Sequence, residues 1–329
     1  MLILSESDLR ALLSMGEVIE AVETGFRALA ANDANVPERL RLDVPAEKGV
    51  LLQMPAYLGS INNPKERALG TKIVSVFEQN IARGLDAIQA VYLLLDSTTG
   101  VPLALMEGRF ITAIRTAATS AVATSFMTAP GEKRLAVFGA GVQAQSHIGA
   151  MIEVAEVKRV MIVSRSADRA RVLADRVSDV HGLSCEVVSA EQAVAAANLI
   201  CTCTSSGTPL FEGALLNEGT HINAVGAFTP STRELDSETI RRARVIIDAE
   251  SSAGREAGEI LIPLSEGAIG KAHVKGTLSD VVSGKVSGRE SVSEITVFKS
   301  CGLAIEDLVT ARLAYSRAVA EGVGTQVNL

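Results

Sequence analysis

The sequence predicts an α/β protein in which a doubly wound parallel sheet follows a mostly antiparallel α+β region. Between residues 133 and 247, short apolar runs alternate with segments of helical spacing. This alternation is typical of parallel strands that helices cover on both faces. Before residue 100, strand-like runs instead follow one another with Pro, Gly and Asn between them, which is typical of antiparallel strands.

The composition is that of a globular protein with a substantial core. The chain has 329 residues, 47% of them hydrophobic and 21% charged, and its length favours two domains. A net charge of −7 argues against partners such as nucleic acid or an anionic membrane. No apolar run reaches the roughly 18 residues of a membrane span, and the N-terminus lacks a basic signal-peptide segment. We therefore expect a cytoplasmic protein.

The cysteines and histidines follow no spacing that is typical of a disulfide framework or a zinc site. Cys201 and Cys203 alternate on a predicted strand, which favours core packing over redox chemistry. We expect free thiols in a reducing compartment and no bound metal ion.

The first region begins with a helix signal and continues with strands. Residues 5–8 supply helix-capping side chains, and the apolar residues of segment 18–29 recur at three- and four-residue steps, as in an amphipathic helix. A turn is predicted at 97–100. Strands are predicted at 39–44, 50–54, 70–77 and 88–95.

A helix predicted for residues 110–127 contains the domain boundary. It is rich in Ala and Thr and runs toward Pro130-Gly131. A last helix is predicted from 303 to 320. The expected divisions are residues 1–117, 118–302 and 303–329. Strands of the second division are predicted at 135–138, 160–163, 185–188, 199–201, 221–225 and 245–247.

Residues 139–144 read Gly-Ala-Gly-Val-Gln-Ala, directly between a predicted strand and a helix. Gly139 permits a tight turn, Gly141 lets backbone amides approach a pyrophosphate, and the small Ala144 lets the helix pack on the strand. The helix N-terminus adds unpaired N–H groups and the positive end of its dipole. A plain strand–helix turn is the alternative, but this context favours a dinucleotide, NAD(P)H.

The end of the second strand in this region indicates which dinucleotide is preferred. NAD enzymes usually place an acid there for the ribose hydroxyls, whereas an arginine accommodates a 2′-phosphate. The chain has Ser164, Arg165 and Ser166, with no acid before Asp168. A solvated arginine at a helix start is the alternative; we expect NADPH to be favoured over NADH. The predicted cofactor-binding residues also include Val142, Gln143, Thr204 and Val225.

Three cations precede the glycine turn. Lys72 lies inside an apolar run, Arg115 lies just before the cofactor domain, and Arg39 follows Pro37-Glu38. A long cation in an apolar stretch needs an anionic partner or a route to water, and arginine suits bidentate recognition of carboxylates. Each cation alone is compatible with an internal salt bridge. Together with a cofactor turn, the three favour a substrate that carries a carboxylate.

Six motifs in order make the chain similar to the ornithine cyclodeaminase/mu-crystallin family. The resemblance runs nearly from end to end, which is much more specific than a single glycine turn. The motifs are residues 50–56 (Val-Leu-Leu-Gln-Met-Pro-Ala), 70–74 (Gly-Thr-Lys-Ile-Val), 112–118 (Thr-Ala-Ile-Arg-Thr-Ala-Ala), 139–143 (Gly-Ala-Gly-Val-Gln), 222–230 with Arg233-Glu-Leu235, and 298–307 (Phe-Lys-Ser-Cys-Gly-Leu-Ala-Ile-Glu-Asp).

The resemblance implies a Rossmann domain inserted in an α+β substrate-binding and dimerisation domain, to which the C-terminal helix returns. It also implies a homodimer. The matching Arg39, Lys72 and Arg115 would be the catalytic residues that hold the substrate carboxylate, with Lys72 facing the reacting carbon–nitrogen centre. Thr116 and Ser300 would lie against the nicotinamide.

Two positions differ from the cyclodeaminases of this family. Where those enzymes carry an aspartate before the loop proline, this chain has Phe228, and where a lysine is expected after it, this chain has Thr232. Both differences favour a reductase of an imine α to a carboxylate, which forms an L-amino acid and is an amino-acid dehydrogenase in reverse. The alternative is that Phe228 merely packs under the loop while Glu78 or Glu234 supplies the acid.

Candidate substrates are cyclic ketimines such as pyrroline- or piperideine-2-carboxylate and linear imino acids such as iminosuccinate or iminopyruvate. A second carboxylate would need a further cation, for which Arg41 and Arg83 are candidates. Two other functions stay open, an ornithine cyclodeaminase-type ammonia lyase and a crystallin-like protein that binds NADP without turnover. The intact cations Arg39, Lys72 and Arg115 argue against the second.

Overall fold

The computed structural model describes residues 1–59 and 66–328. Among these residues no helix is long and apolar enough to cross a membrane. The strands are β1 (Leu2–Leu4), β2 (Ala34–Asn35), β3 (Leu40–Val44), β4 (Gly49–Leu58), β5 (Ala68–Phe77), β6 (Ile88–Leu95), β7 (Pro102–Glu107), β8 (Lys133–Phe138), β9 (Val157–Val163), β10 (Ser184–Val187), β11 (Leu199–Thr202), β12 (His221–Ala224), β13 (Ala243–Ile247), β14 (Val274–Thr277), β15 (Ile295–Lys299) and β16 (Thr325–Gln326).

The α-helices connect these strands, and short 3₁₀ helices lie at Pro45–Glu47, Glu78–Arg83, Gly213–Leu215 and Lys271–His273. The α-helices are α1 (Glu6–Leu12), α2 (Met15–Ala30), α3 (Gly108–Met127), α4 (Val142–Val154), α5 (Ala167–His181), α6 (Ala190–Ala196), α7 (Ser237–Arg242), α8 (Glu250–Glu256), α9 (Gly258–Ser265), α10 (Leu278–Val282) and α11 (Ala304–Glu321).

The chain divides into two compact units, and the first consists of Met1–Thr116 together with Leu303–Leu329. Its sheet has the order β16-β1-β7-β6-β5-β4-β2, with β3 also paired to β4. Apart from the parallel pair β1 and β7, its strands are antiparallel. Helix α1 begins at a capping box, in which Ser5 and Asp8 satisfy each other's backbone N–H groups.

Helix α11 covers one face of this sheet. In β5 the residues Ala68, Gly70, Lys72 and Val74 are buried, whereas those between them are more exposed. This alternation follows from the two-residue period of a strand. Helix α11 packs on β4, β5 and β6 and also against α2. The C-terminal helix therefore forms its core with strands from the beginning of the chain.

The second unit, Ala117–Gly302, is a parallel sheet with helices. Its strand order is β10-β9-β8-β11-β12-β15-β13-β14, and every pair is parallel. The chain runs outward from β8 to β10 and then crosses back to β11. Between β8 and β11 the direction of winding reverses, and ligands of such sheets bind beyond the carboxyl ends of the strands at this point.

The strands that the sequence predicts are all present in the structure, but the strands β1, β2, β7, β14, β15 and β16 were not predicted. Pro102 is the first residue of β7, a position at which a strand tolerates proline. In β15 the polar Thr296 and Lys299 interrupt the apolar run, although both side chains are completely buried. Their burial depends on partners elsewhere in the second unit, which sequence periodicity does not reveal.

Candidate active site

The glycine turn joins β8 to α4. Gly139 has a φ of 118°, and a Cβ there would lie 2.5 Å from the carbonyl oxygen of Cys203, so only glycine fits. Gly141 has an extended backbone, and a Cβ on it would meet no atom within 4 Å. The protein therefore leaves space in front of Gly141, beside the N–H groups that open α4, where a pyrophosphate is accommodated. Ala144 is completely buried.

A cavity of about 640 Å³ extends from this turn along the ends of β8, β9 and β11. The Oε1 atom of Gln143 is buried and has no hydrogen-bond partner among the described residues, as expected for a group that awaits a ligand. The residues present therefore fit a dinucleotide. The predicted cofactor-binding residues that line the cavity are Gly139, Gly141, Val142, Gln143, Ser164, Arg165, Ser166 and Thr204.

Three predicted cofactor residues do not line this cavity. Val225 and Ser300 directly follow β12 and β15, and the backbone N–H of Ser300 donates to Ala224 at 3.1 Å. Both therefore lie at the same edge of the sheet as the glycine turn. The hydroxyl of Ser300 is buried and has no hydrogen-bond partner within the described chain. Thr116 belongs to the first unit, and its hydroxyl donates to the carbonyl of Thr112 at 2.6 Å.

A buried ion cluster joins β5, α3 and α11 in the first unit. The Nζ atom of Lys72 lies 2.7 Å from Oδ2 of Asp307, and Nε of Arg115 donates to Oδ1 of the same carboxylate at 3.0 Å. Arg115 also donates through Nη1 to Glu306 at 2.6 Å. All four side chains are almost completely inaccessible to solvent. An internal salt bridge was the alternative role considered for Lys72 and for Arg115, and both cations do form internal salt bridges.

The acidic half of this cluster comes from the first turn of α11. Glu306 accepts the backbone N–H of Leu303 at 2.9 Å and so caps the helix as well as binding Arg115. Negative charge is favoured at a helix N-terminus, where the dipole is positive. Glu306 and Asp307 belong to the family motif at residues 298–307, but no individual role was predicted for either residue. The available signal was a pair of acids at the start of an otherwise apolar helix.

The environment of Lys72 shifts its pKa toward neutrality. Burial lowers the pKa of the amine, and the positive charge of Arg115 lowers it further, while Asp307 opposes both effects, so that the pKa falls to about 8. An amine with this pKa exchanges protons near physiological pH, which suits a general acid or base. Arg115 stays charged, because Asp307 and Glu306 raise its pKa against the effect of burial.

Arg39 lies at the edge of the same sheet. It immediately precedes β3, whose first residue, Leu40, pairs with Gln53 of β4, and Gln53 pairs with Ile73 of β5. One position further along these strands, Met54 pairs with Lys72. Arg39 is half-buried, and this register brings its backbone to the level of Lys72, two strands away.

The loop after β12 contains the two positions that differ from cyclodeaminases. The side chain of Phe228 is 42% exposed, so it does not merely pack under the loop. The hydroxyl of Thr232 shares a 2.6 Å hydrogen bond with Thr229. Glu234 is completely buried and accepts hydrogen bonds from the backbone N–H groups of Thr204 and Gly226. Glu234 is therefore committed to the loop itself, and Glu78 is exposed on the first unit.

We expect Gly141→Ala to lose cofactor affinity without losing stability. The backbone tolerates alanine, and the new methyl group enters only the space that the pyrophosphate would occupy. The dissociation constant for NADH, measured by fluorescence titration, should rise at least tenfold, which is about 1.4 kcal/mol. Gly149→Ala in α4 is the matched control, since its Cβ also meets open space. Unchanged NADH affinity in Gly141→Ala would contradict a pyrophosphate at this turn.

Comparisons with known proteins identify the family of the chain. The model of the ornithine cyclodeaminase/mu-crystallin family matches residues 1–322. A Delta(1)-pyrroline-2-carboxylate reductase of Bacillus cereus is 35% identical over 330 residues, covering 100% of both chains.

Two solved structures superpose over the whole chain. Thermococcus litoralis Delta(1)-pyrroline-2-carboxylate reductase, in complex with NADH and L-proline, is 42% identical with a TM-score of 0.95 and covers 99% of this chain and 100% of its own. An archaeal alanine dehydrogenase dimer with bound NAD is 33% identical with a TM-score of 0.93, covering 100% and 99%. The chain belongs to the ornithine cyclodeaminase/mu-crystallin family.

Proposed function

We propose that the protein is an NAD(P)H-dependent reductase of imines that carry a carboxylate on the imine carbon, and that it forms L-amino acids. In reverse it is an amino-acid dehydrogenase. The observation that carries the proposal is the buried Lys72, whose amine lies 2.7 Å from Asp307 and has a pKa of about 8. The pyrroline-2-carboxylate reductase and alanine dehydrogenase relatives both catalyse chemistry of this kind by name.

In the proposed reaction the cations of the first unit bind the substrate carboxylate. Arg115 presents a fixed planar guanidinium, because Glu306 and Asp307 hold two of its nitrogens. Lys72 donates one hydrogen bond, to the carboxylate of Asp307, so its ammonium keeps further N–H groups for a substrate atom. Arg39, whose backbone lies at the level of Lys72 on the same sheet, is the third cation of the proposed carboxylate site. Orienting the imine in this way is the larger part of such catalysis.

The proton that the reaction needs is assigned to Lys72. Bound NAD(P)H supplies the hydride to the imine carbon. The ammonium form of Lys72 donates a proton to the imine nitrogen, and its neutral form accepts one from the amino acid in reverse. Asp307 keeps the amine in place through a 2.7 Å contact and also keeps part of it protonated at neutral pH.

Reduction is preferred over cyclodeamination because the loop after β12 lacks a usable acid. A cyclodeaminase must also move protons while ammonia leaves, which a positioned carboxylate does well. Phe228 has no titratable group and no charge, so it can neither move a proton nor pair with a distal ammonium as a carboxylate would. Glu234 is buried and already accepts hydrogen bonds from the loop.

The charges of the first unit favour a substrate with one carboxylate. The cations considered for a second carboxylate are already paired at the surface, Arg41 with Asp43 at 2.7 Å and Arg83 with Glu47 at 3.2 Å. Pyrroline-2-carboxylate and iminopyruvate therefore fit the proposal better than iminosuccinate. These two substrates also correspond to the proline and alanine chemistry in the names of the relatives.

The proposal includes a homodimer that works in the cytoplasm. The sheet face opposite α11 exposes apolar side chains in one row, in which Leu40, Ile73 and Val91 lie on adjacent or next-adjacent strands. Exposed apolar patches of this kind mark association surfaces, and the archaeal alanine dehydrogenase relative is a dimer. All four cysteines are free thiols, which suits a reducing compartment.

We expect NAD(P)H oxidation at 340 nm with pyrroline-2-carboxylate, or with pyruvate plus ammonia or methylamine, in stoichiometric amounts. Incubation with L-ornithine and catalytic NAD⁺ should yield no proline, because the described loop after β12 offers no free carboxylate to help expel ammonia. Amino-acid analysis and an ammonia assay measure both outcomes. Steady formation of proline from ornithine would overturn the reductase assignment in favour of cyclodeamination.

We expect kcat/KM for imine reduction to fall tenfold per pH unit above pH 8, while kcat/KM for amino-acid oxidation rises up to that pH. Reduction needs protonated Lys72, whose pKa in the free enzyme is about 8, and oxidation needs its neutral form. Lys72→Arg is the control, because an arginine keeps the positive charge but does not release its proton, so reduction should be much slower and any residual reduction should show no decline above pH 8. A decline that persists at pH 8 in this variant would assign the proton to another group.

We expect a higher kcat/KM with NADPH than with NADH, owing to Arg165 and the serines beside it at the rim of the cavity. Arg165→Ser should lower kcat/KM with NADPH about tenfold or more, the effect of one lost charged hydrogen bond, and leave NADH within about twofold. Arg171→Ser is the matched control, since Arg171 lies on α5 and pairs with Asp168. Equal or better use of NADH by the unaltered protein would refute the preference.

A further inference from the structure

Glu234 joins the ends of two neighbouring strands of the parallel sheet. Its Oε1 accepts the backbone N–H of Thr204 at 2.7 Å and the hydroxyl of Thr204 at 2.6 Å. Its Oε2 accepts the backbone N–H of Gly226 at 2.7 Å. Thr204 follows β11 and Gly226 follows β12. One carboxylate therefore fixes the spacing of two loops at the carboxyl edge of the sheet.

Two further buried charges hold Glu234 from the other side. Its backbone N–H donates to Oε1 of Glu259 at 3.0 Å, and Nζ of Lys299 lies 3.2 Å from Oε2 of Glu259. Lys299 also donates to the carbonyl oxygens of Ala224 and Ala227. Glu234, Glu259 and Lys299 are all completely buried. The loop after β12 is thus tied to β11, β15 and α9.

The packing around this network leaves no room for adjustment. A Cβ on Gly226 would lie 2.1 Å from the carbonyl oxygen of Thr204 and 2.6 Å from Oε1 of Glu234. A Cβ on Gly258 would lie 1.9 Å from the carbonyl oxygen of Thr232. Backbone segments approach each other here as closely as glycine allows. The two strand ends therefore have one defined separation.

These strand ends lie on one side of the glycine turn. In a doubly wound sheet the pyrophosphate binds at the first strand, here β8, and the two halves of a dinucleotide extend in opposite directions along the strand ends. Ser164, Arg165 and Ser166 follow β9 and mark the adenosine side. Thr204 and Gly226, beyond β8 in the other direction, mark the nicotinamide side.

We propose that Glu234 is a positioning residue that sets the separation of Thr204 and Gly226 and thereby the seat of the nicotinamide ring. Glu259 and Lys299 hold Glu234 in place. The inference rests on the NAD(P)H use in the proposed function but not on the identity of the imine. Glu234 acts through the two loops and touches no reacting atom.

The charge of Glu234 matters as much as its shape. Three donors converge on its two oxygens, and only an ionised carboxylate accepts from all of them without presenting a donor of its own. Burial raises the pKa of Glu234, and the hydrogen bonds from Thr204 and the charge of Lys299 oppose this shift. In Glu234→Gln the amide NH₂ must face one of these donors, which pushes one loop away.

The test compares two nucleotides that differ in the nicotinamide. Dissociation constants of NADH and of ADP-ribose, which lacks the nicotinamide, are measured by calorimetry for the unaltered protein and for Glu234→Gln. We expect NADH to bind about tenfold more weakly or worse, and ADP-ribose to bind as before. Glu238→Gln is the control, since Glu238 pairs with Arg241 at the surface. Its two dissociation constants should not change.

Two results would overturn the inference. Unchanged NADH affinity in Glu234→Gln would show that the loops keep their separation without the charge. Equal losses for NADH and ADP-ribose would show that Glu234 only supports the fold. Neither dissociation constant depends on an imine substrate. If the unaltered protein binds NADH but reduces none of the imines tested at 340 nm, that result would contradict the proposed reaction and leave the role of Glu234 unaffected.

A second variant approaches the same separation from the other loop. Gly226→Ala forces its Cβ against the carbonyl oxygen of Thr204 and should produce the same selective loss of NADH. Thermal unfolding midpoints of both variants are recorded first. If Glu234→Gln is unfolded at the assay temperature, Gly226→Ala decides the outcome by the same two dissociation constants.

Discussion

The carboxylate of Asp307 is the group on which the first unit depends. It binds Lys72 from β5 and Arg115 from α3, residues that are 192 or more positions away in sequence. With its neighbour Glu306 it balances both cations in a region without solvent. Removing one partner of such a buried pair typically costs about 3–5 kcal/mol, because the other charge is left uncompensated. The return of α11 to the N-terminal strands is therefore an electrostatic requirement as well as a packing arrangement.

The second unit uses buried carboxylates for a related purpose. Beyond the ends of parallel strands, backbone N–H groups lose their ladder partners and need other acceptors. Asp248 accepts the backbone N–H of Gly302 at 2.7 Å and that of Ala249 at 2.7 Å, and Glu234 does the same for Thr204 and Gly226. These carboxylates fix the loops at the edge of the sheet where a dinucleotide binds. Their oxygens already accept backbone hydrogen bonds there.

The two kinds of site divide the proposed chemistry between them. The glycine turn and the strand ends of the second unit recognise a cofactor mostly through backbone groups and small side chains. The first unit supplies the charges, and there burial and the proximity of Arg115 bring the pKa of Lys72 to about 8. A lysine in water, with a pKa of about 10.4, is a weaker acid and has almost no neutral amine at neutral pH. The ion cluster thus stabilises the unit and prepares a proton donor.

Helix starts, strand alternation and the glycine turn can be predicted from the sequence alone, because each depends on residues close together in the chain. The strand–glycine–helix order around Gly139, the alternation of β5 and the start of α1 at Ser5 follow from neighbouring side chains. The family motifs also selected Lys72 and Arg115. Phe228, which stands where cyclodeaminases carry an aspartate, already favoured imine reduction over cyclodeamination.

The pairing of buried charged side chains is visible only in the tertiary structure. The contacts of Asp307 and Glu306 with Lys72 and Arg115 were not predicted, and neither was β15, in which Lys299 is buried against Glu259. Glu234 is a similar case. The sequence made it a candidate catalytic acid, whereas in the fold its buried carboxylate accepts hydrogen bonds from backbone N–H groups. Pairing of buried charges is set by distances of about 3 Å between residues far apart in the chain. Periodicity and motif spacing describe one segment at a time and contain no such distance.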